Sequence, residues 1–155
     1  MATEEDLWQL VLTERQGVLA TVARDGRPQL SNVLYQPDAG SRVVRISTTA
    51  DRLKARNLAR DPRAALHVPG RDFWHYAVAE GDVTLSAVAS VPGDDACREL
   101  LAVHAAFYGE QDADAVYPDL IAARRLVVRL QVSHLYGVMT TAGARPQYHR
   151  PVRPD

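Results

Sequence analysis

Ser47, Thr48 and Thr49 close a run of strand-forming residues, and Asp51, Arg52 and Lys54 follow in a segment of helix-forming composition. Three hydroxyls and two cations at a strand-to-helix turn can hold an anion. The first N–H groups of a helix lack carbonyl partners, and the aligned peptide dipoles make that end positive. Phosphate is well matched to such a turn. Arg52 and Lys54 stand in the first turn, where a cation disfavours an isolated helix. A bound phosphate would reverse that cost. Arg52, Lys54, Arg56, Arg60 and Arg63 face only Asp51 and Asp61 in this stretch, within a chain of net charge −1. Arg52, Arg56 and Arg60 also fall at i, i+4 spacing, the pattern of a solvated basic helix face. Spacing alone leaves both readings open.

Other chemistries find less support. There is no nucleophile–base constellation and no Gly-x-Gly-x-x-Gly dinucleotide loop, so no catalytic side chain stands out. The five histidines show no metal-binding spacing with a carboxylate, so no metal is expected. His67 and His104 read as structural, and His75, beside Trp74, as a surface or core histidine. Cys97 is the single cysteine and falls on the apolar side of a helical segment, which suits a buried, inert thiol. Tyr35 and Tyr76 suit pocket lining and ordinary strand positions equally. A net charge of −1 gives no field for nucleic acid, and the short basic stretch lacks interleaved aromatics. No apolar run reaches the ~20 residues of a membrane helix, and MATEEDLWQL is not signal-like. A cytoplasmic protein without membrane or nucleic-acid partners is expected.

The elements that must position these residues read mainly as strands. Residues 4–15 form an opening helix, with Thr3 and Asp6 as a capping pair and Gly17 as its end. Residues 17–24, 28–36 and 42–49 read as a three-strand antiparallel meander, its first turn at Asp25-Gly26. In the third strand Val44, Ile46 and Thr48 share one face; Arg45, Ser47 and Thr49 share the other. Residues 51–60 read as a helix with Asp51 as N-cap, stopped at Asp61-Pro62. Residues 63–69 and 73–88 are two further strands, with a bulge at Gly81. Helices follow at 94–108 and 114–124. The last strand is the clearest, with Leu126, Val128, Leu130 and Val132 alternating against Val127, Arg129, Gln131 and Ser133. Residues 140–155 form an irregular Pro- and Arg-rich tail. Six strands with few helices predict a mainly β, six-stranded antiparallel barrel in a single domain over 1–155, with its core at about 5–139.

GVLATVARDGRPQLSNVLY, ISTTADRLKARNLARDPRAALHV, FWHYAVAEGDVTLS and RRLVVRLQVSHLYGV together resemble the pyridoxamine 5′-phosphate oxidase-like superfamily. Within it they look like the actinobacterial flavin/deazaflavin oxidoreductases of the B group. Lys54, Asn57, Leu58, Asp61 and Pro62 carry the most specific part of the match. The resemblance implies a homodimeric split β-barrel with cofactor sites at the subunit interface. It implies that Ser47, Thr48, Thr49, Arg52 and Lys54 contact the cofactor phosphate. It implies that Gln29, Ser31, Asn32 and Val33 run along the ring system, and that Trp74 lies near it. The implied cofactor is the deazaflavin F420, with FMN as the alternative. The implied reaction is hydride transfer to a small conjugated organic molecule. An FMN enzyme like pyridoxamine phosphate oxidase and a non-catalytic cofactor carrier are the competing readings. The first lacks that enzyme's C-terminal substrate arginine motif here.

Overall fold

The computed structural model describes residues 2–141. Helix α1 (Glu4–Thr13) opens with a reciprocal capping box: Thr3 Oγ1 accepts from the Asp6 N–H, and the Asp6 carboxylate accepts from the Thr3 N–H. The helix ends at Thr13, before Gly17, which instead lies in strand β1 (Gln16–Val22). A Cβ on Gly17 would meet the His67 carbonyl at 2.7 Å, so this glycine serves close strand packing. Asp25-Gly26 turns β1 into β2 (Pro28–Leu34), with Gly26 at φ +85°.

The run read as one strand over 28–36 is two. Tyr35 separates β2 from the short β3 (Gln36–Asp38), which pairs with β4 (Val43–Thr49). Among the described residues the sheet has seven strands, not six, in the order β2-β1-β5-β6-β7-β4-β3, all antiparallel. The expected meander is therefore absent, since β2 and β3 lie on opposite edges. One residue joins those edges, so the sheet must curl until they meet at Tyr35, giving a half-barrel. Tyr35 is fully buried there. Its N–H donates to the Arg15 carbonyl at 3.0 Å, and its hydroxyl donates to the Val11 carbonyl at 2.9 Å. Tyr35→Phe would leave that helix carbonyl unpaired and should lower stability by about 1 kcal/mol in a denaturant titration.

Helix α2 (Leu53–Arg60) follows β4 and stops at Asp61. Its N-cap is Arg52, without a side-chain cap, rather than Asp51. The Asp51 carboxylate instead accepts from the Thr49 hydroxyl at 2.5 Å. Strand β5 (Arg63–Pro69) pairs with β1 and with β6 (Tyr76–Leu85). β6 begins later than expected, which leaves Trp74 in the preceding turn. Its register against β7 (Arg125–Val138) shifts between Glu80 and Gly81, the bulge expected at that glycine. Helices α3 (Asp95–Tyr108) and α4 (Ala113–Ala122) lie between β6 and β7 in the chain. Among the described residues no helix is long and apolar enough to cross a membrane.

Two cores result. The larger fills the curled sheet with residues such as Leu19, Ile46, Leu66, Val128 and Leu130, closed by Leu7, Trp8 and Val11 of α1. The smaller lies outside the sheet, where Cys97 and Leu100 of α3 and Leu120 of α4 cover Val127. A charged cluster registers α3 on this outer face. The Glu99 carboxylate accepts from Arg129 at 2.5 and 2.8 Å and from Arg45 at 3.1 Å. These hydrogen bonds, those from Arg129 foremost, hold the Glu99 carboxyl below its ordinary value. Its stabilising contribution is thus present above the unfolded carboxylate pKa and is lost as pH falls through the depressed folded value. Glu99→Gln should cost about 1–2 kcal/mol at neutral pH and flatten the acid limb of a stability–pH curve.

Candidate anion-binding site at the sheet seam

Strand alternation decides which hydroxyls are available. Val44, Ile46 and Thr48 point into the main core, and Thr48 is only 5% exposed. Arg45, Ser47 and Thr49 point outward, toward the face that α3 covers. The register of β4 on β7 sets Ser47 opposite Val127 and Thr49 opposite Arg125. Two side chains converge on the Ser47 hydroxyl. Arg125 Nη1 donates to Oγ at 3.1 Å, and His104 Nε2 lies 3.0 Å from the same atom. Arg125 can only donate, so Ser47 Oγ accepts from it; the His104 tautomer sets whether the Ser47 proton goes to Nε2 or Nε2–H donates to Oγ as well.

Asn32, Val33 and Leu34 of β2, Lys54 of α2, and Val103, Phe107 and Tyr108 of α3 complete a cavity of about 250 Å³ around this pair. The cavity thus sits at the seam where the curled sheet brings β2 near β4. Its charge is one-sided. Among the described residues neither Lys54 nor Arg125 has a carboxylate partner, whereas Arg45 and Arg129 share Glu99. Burial, then the nearby Arg52, lowers the Lys54 pKa. Burial, then Arg125, lowers that of His104. Both shifts report a partly buried positive region without a counter-charge, which a bound anion would relieve.

Of the residues expected at the cofactor, Asn32, Val33, Ser47 and Lys54 come together here. Thr49 and Arg52 lie beside the cavity rather than in its lining, with Thr49 engaged by Asp51. Gln29 and Ser31 continue along β2. Gln29 accepts from Thr21 at 2.9 Å, and Thr21 in turn accepts from Asn57 of α2 at 3.0 Å, tying the edge strand to that helix. Ser31 Oγ is buried without a hydrogen-bond partner among the described residues. An orphaned hydroxyl of this kind is costly unless something else pairs with it. Trp74 is 42% exposed and packs edge-on against Phe73, away from the cavity lining.

His104 and Arg125 were not expected at the site. The spacing of His104 and Tyr108 places them on one helix face, and Arg125 shares the outward phase of Arg129. Neither signal tells that α3 lies over β4, a contact between residues 57 positions apart in the chain.

The comparisons with known proteins concern the family and the fold. A family model described as pyridoxamine 5′-phosphate oxidase matches residues 3–139. The chain belongs to the pyridoxamine 5′-phosphate oxidase family. Among solved structures, a conserved hypothetical protein from Mycobacterium tuberculosis superposes with a TM-score of 0.65 at 23% identity, covering 93% of this chain and 94% of that one. A protein described as an F420 reductase gives 0.59 at 23% identity, over 86% and 98% of the two chains. A heme storage protein from Vibrio cholerae gives 0.60 at 15% identity, over 88% and 95%. At these identities the likeness shows a shared fold. Proteins of this fold are thus described by different ligands, F420 and heme, and the choice for this chain rests on its own residues.

Proposed function

We propose that the protein binds the phosphate-bearing deazaflavin F420 and serves as a reductase of a small conjugated organic molecule. The observation that carries this is the one-sided positive cavity around Ser47, where Lys54 and Arg125 stand with His104 beside them and no carboxylate in the lining. Lys54 and Arg125 would hold the phosphate, and Ser47 would orient it. The orphaned Ser31 hydroxyl fits a polar edge of the ring, as a partner it otherwise lacks. A second cavity, of about 410 Å³, shares Asn32, Val33 and Leu34 with the first and is walled by Gly17, Val18 and Pro69. That continuity suits a ring lying along β2 from a phosphate held at Ser47. When bound, the reduced cofactor supplies the hydride, so the chain needs to position and shield it rather than provide a catalytic base.

F420 is favoured over FMN by the surface beside α2. Arg24, Arg56 and Arg60 border an open cavity of about 500 Å³ with only Asp25 opposing them. F420 carries an anionic oligoglutamate tail beyond its phosphate, and guanidinium groups grip carboxylates in a fork. FMN has no such extension. The proposed assembly is a homodimer in which the outer sheet face meets a second copy. Leu30, at 63% exposure, lies on that face with Leu34, Tyr136 and Val138, apolar side chains that an isolated chain would leave in water.

Fluorescence titration with F420 and with FMN tests the reading. Tight FMN binding with no response to F420 would sink the F420 assignment. If F420 binds, its reduced form should be oxidised by one of a panel of quinones, unsaturated lactones and linear tetrapyrroles. Failure with every acceptor would favour a carrier that binds without turnover.

A further inference from the structure

His104 and Ser47 hold more than a static contact. With His104 neutral and its proton on Nδ1, the Ser47 proton goes to Nε2, and Arg125 donates to one lone pair of Oγ. The hydroxyl then has no proton to offer the cavity. With His104 protonated, Nε2–H becomes a donor to Ser47. Oγ now accepts from both His104 and Arg125, and its own proton is released to point at whatever occupies the cavity. From that tautomer, one proton gained by the imidazole converts Ser47 from a donor to histidine into a donor to an anion.

Resting on the phosphate reading of this cavity, we propose that cofactor binding takes up a proton at His104, which switches the Ser47 hydroxyl onto the bound phosphate. The charges around the imidazole support the coupling. Arg125 on β7 and Lys54 on α2 line the same cavity, with Arg52 close to Lys54. Tyr108 lies edge-on to the His104 ring at 6.1 Å. The carboxylates on neighbouring elements are engaged elsewhere: Glu99 by Arg45 and Arg129, and Asp51 by Thr49. An empty cavity thus disfavours a third positive charge, in line with the lowered His104 pKa. A phosphate among Lys54, Arg125 and Ser47 reverses that balance, and by linkage the protonated site binds the phosphate more tightly.

The test uses whichever of F420 and FMN binds the full chain. Calorimetric titration at pH 7 in two buffers of different ionisation enthalpy should show uptake of a fraction of a proton, up to one, per site. Relative to His104→Gln, which keeps a donor near Ser47 but cannot titrate, wild-type affinity should tighten up to about tenfold from pH 8 to pH 6. Taking the ratio to the variant removes ionisation of the ligand itself. An NMR titration of the wild-type His104 ring, independent of any variant's folding, should show its pKa rising on binding. Binding with no proton uptake and an unmoved His104 would overturn this coupling and leave the phosphate site standing. If neither cofactor binds, the coupling falls with the reading beneath it.

Discussion

Lys54→Ala should weaken binding of F420 or FMN by about 1.5–3 kcal/mol, roughly ten- to 150-fold in Kd, measured by fluorescence titration. The size follows from the environment of the ammonium. It lines the Ser47 cavity, partly buried, with no carboxylate partner among the described residues. A hydrogen bond from such a group to a phosphate forms where water and competing charges are scarce. The same facts predict the effect on folding. Lys54 stands in the first turn of α2, where a cation opposes the helix dipole, and next to Arg52. Removing it should leave the melting temperature unchanged or raise it. Loss of binding without loss of stability is the signature of a binding residue. Unchanged binding would return Lys54 to the solvated basic helix face that its spacing also allows, and the phosphate would lie elsewhere.

Gly81→Ala should destabilise the fold by about 3 kcal/mol in equilibrium unfolding, the upper end for forcing an extra methyl into packed surroundings. A Cβ at this position would lie 1.8 Å from the Gln131 carbonyl oxygen and 2.9 Å from its carbon. Both are backbone atoms of β7, so no side-chain rotation relieves the clash. The bulge must open or β7 must move. β7 also carries Arg125 and Arg129, and β4 pairs along it from Val43 to Thr49. Displacement at Gly81 is therefore expected to reach the anion cavity, and residual folded Gly81→Ala should bind cofactor less tightly than wild type. A loss of less than about 1 kcal/mol would show that the bulge relaxes locally.

Much of the fold was legible because it is local. The alternation over 126–132 and 43–49 marks strands and their faces directly. Thr3 with Asp6, and Asp25 with Gly26, set their cap and turn within four residues, where side chain and backbone meet without help from the rest of the chain. The error over 28–36 was of another kind. Nothing in PQLSNVLYQ announces that Tyr35 divides two strands on opposite edges, because the break is imposed by burial against Val11 and Arg15, more than twenty residues away for the first. The Asp51 cap failed for a nearer reason: Thr49, two residues back, took its carboxylate.

By itself the sequence determined the ingredients of the site, hydroxyls and cations at a strand end and helix start, and its resemblance determined the family. Those features rest on residue type and short spacing, which tertiary packing does not alter. Only the tertiary structure decided which of them face one another. It turned Thr48 into the core, kept Ser47 outside, left Trp74 in a turn, and brought His104 and Arg125 to the Ser47 hydroxyl from later in the chain. The physical reason is register. A strand shows alternate residues to its two faces, so the pairing of β4 with β7 and the docking of α3 through Glu99 select which side chains meet.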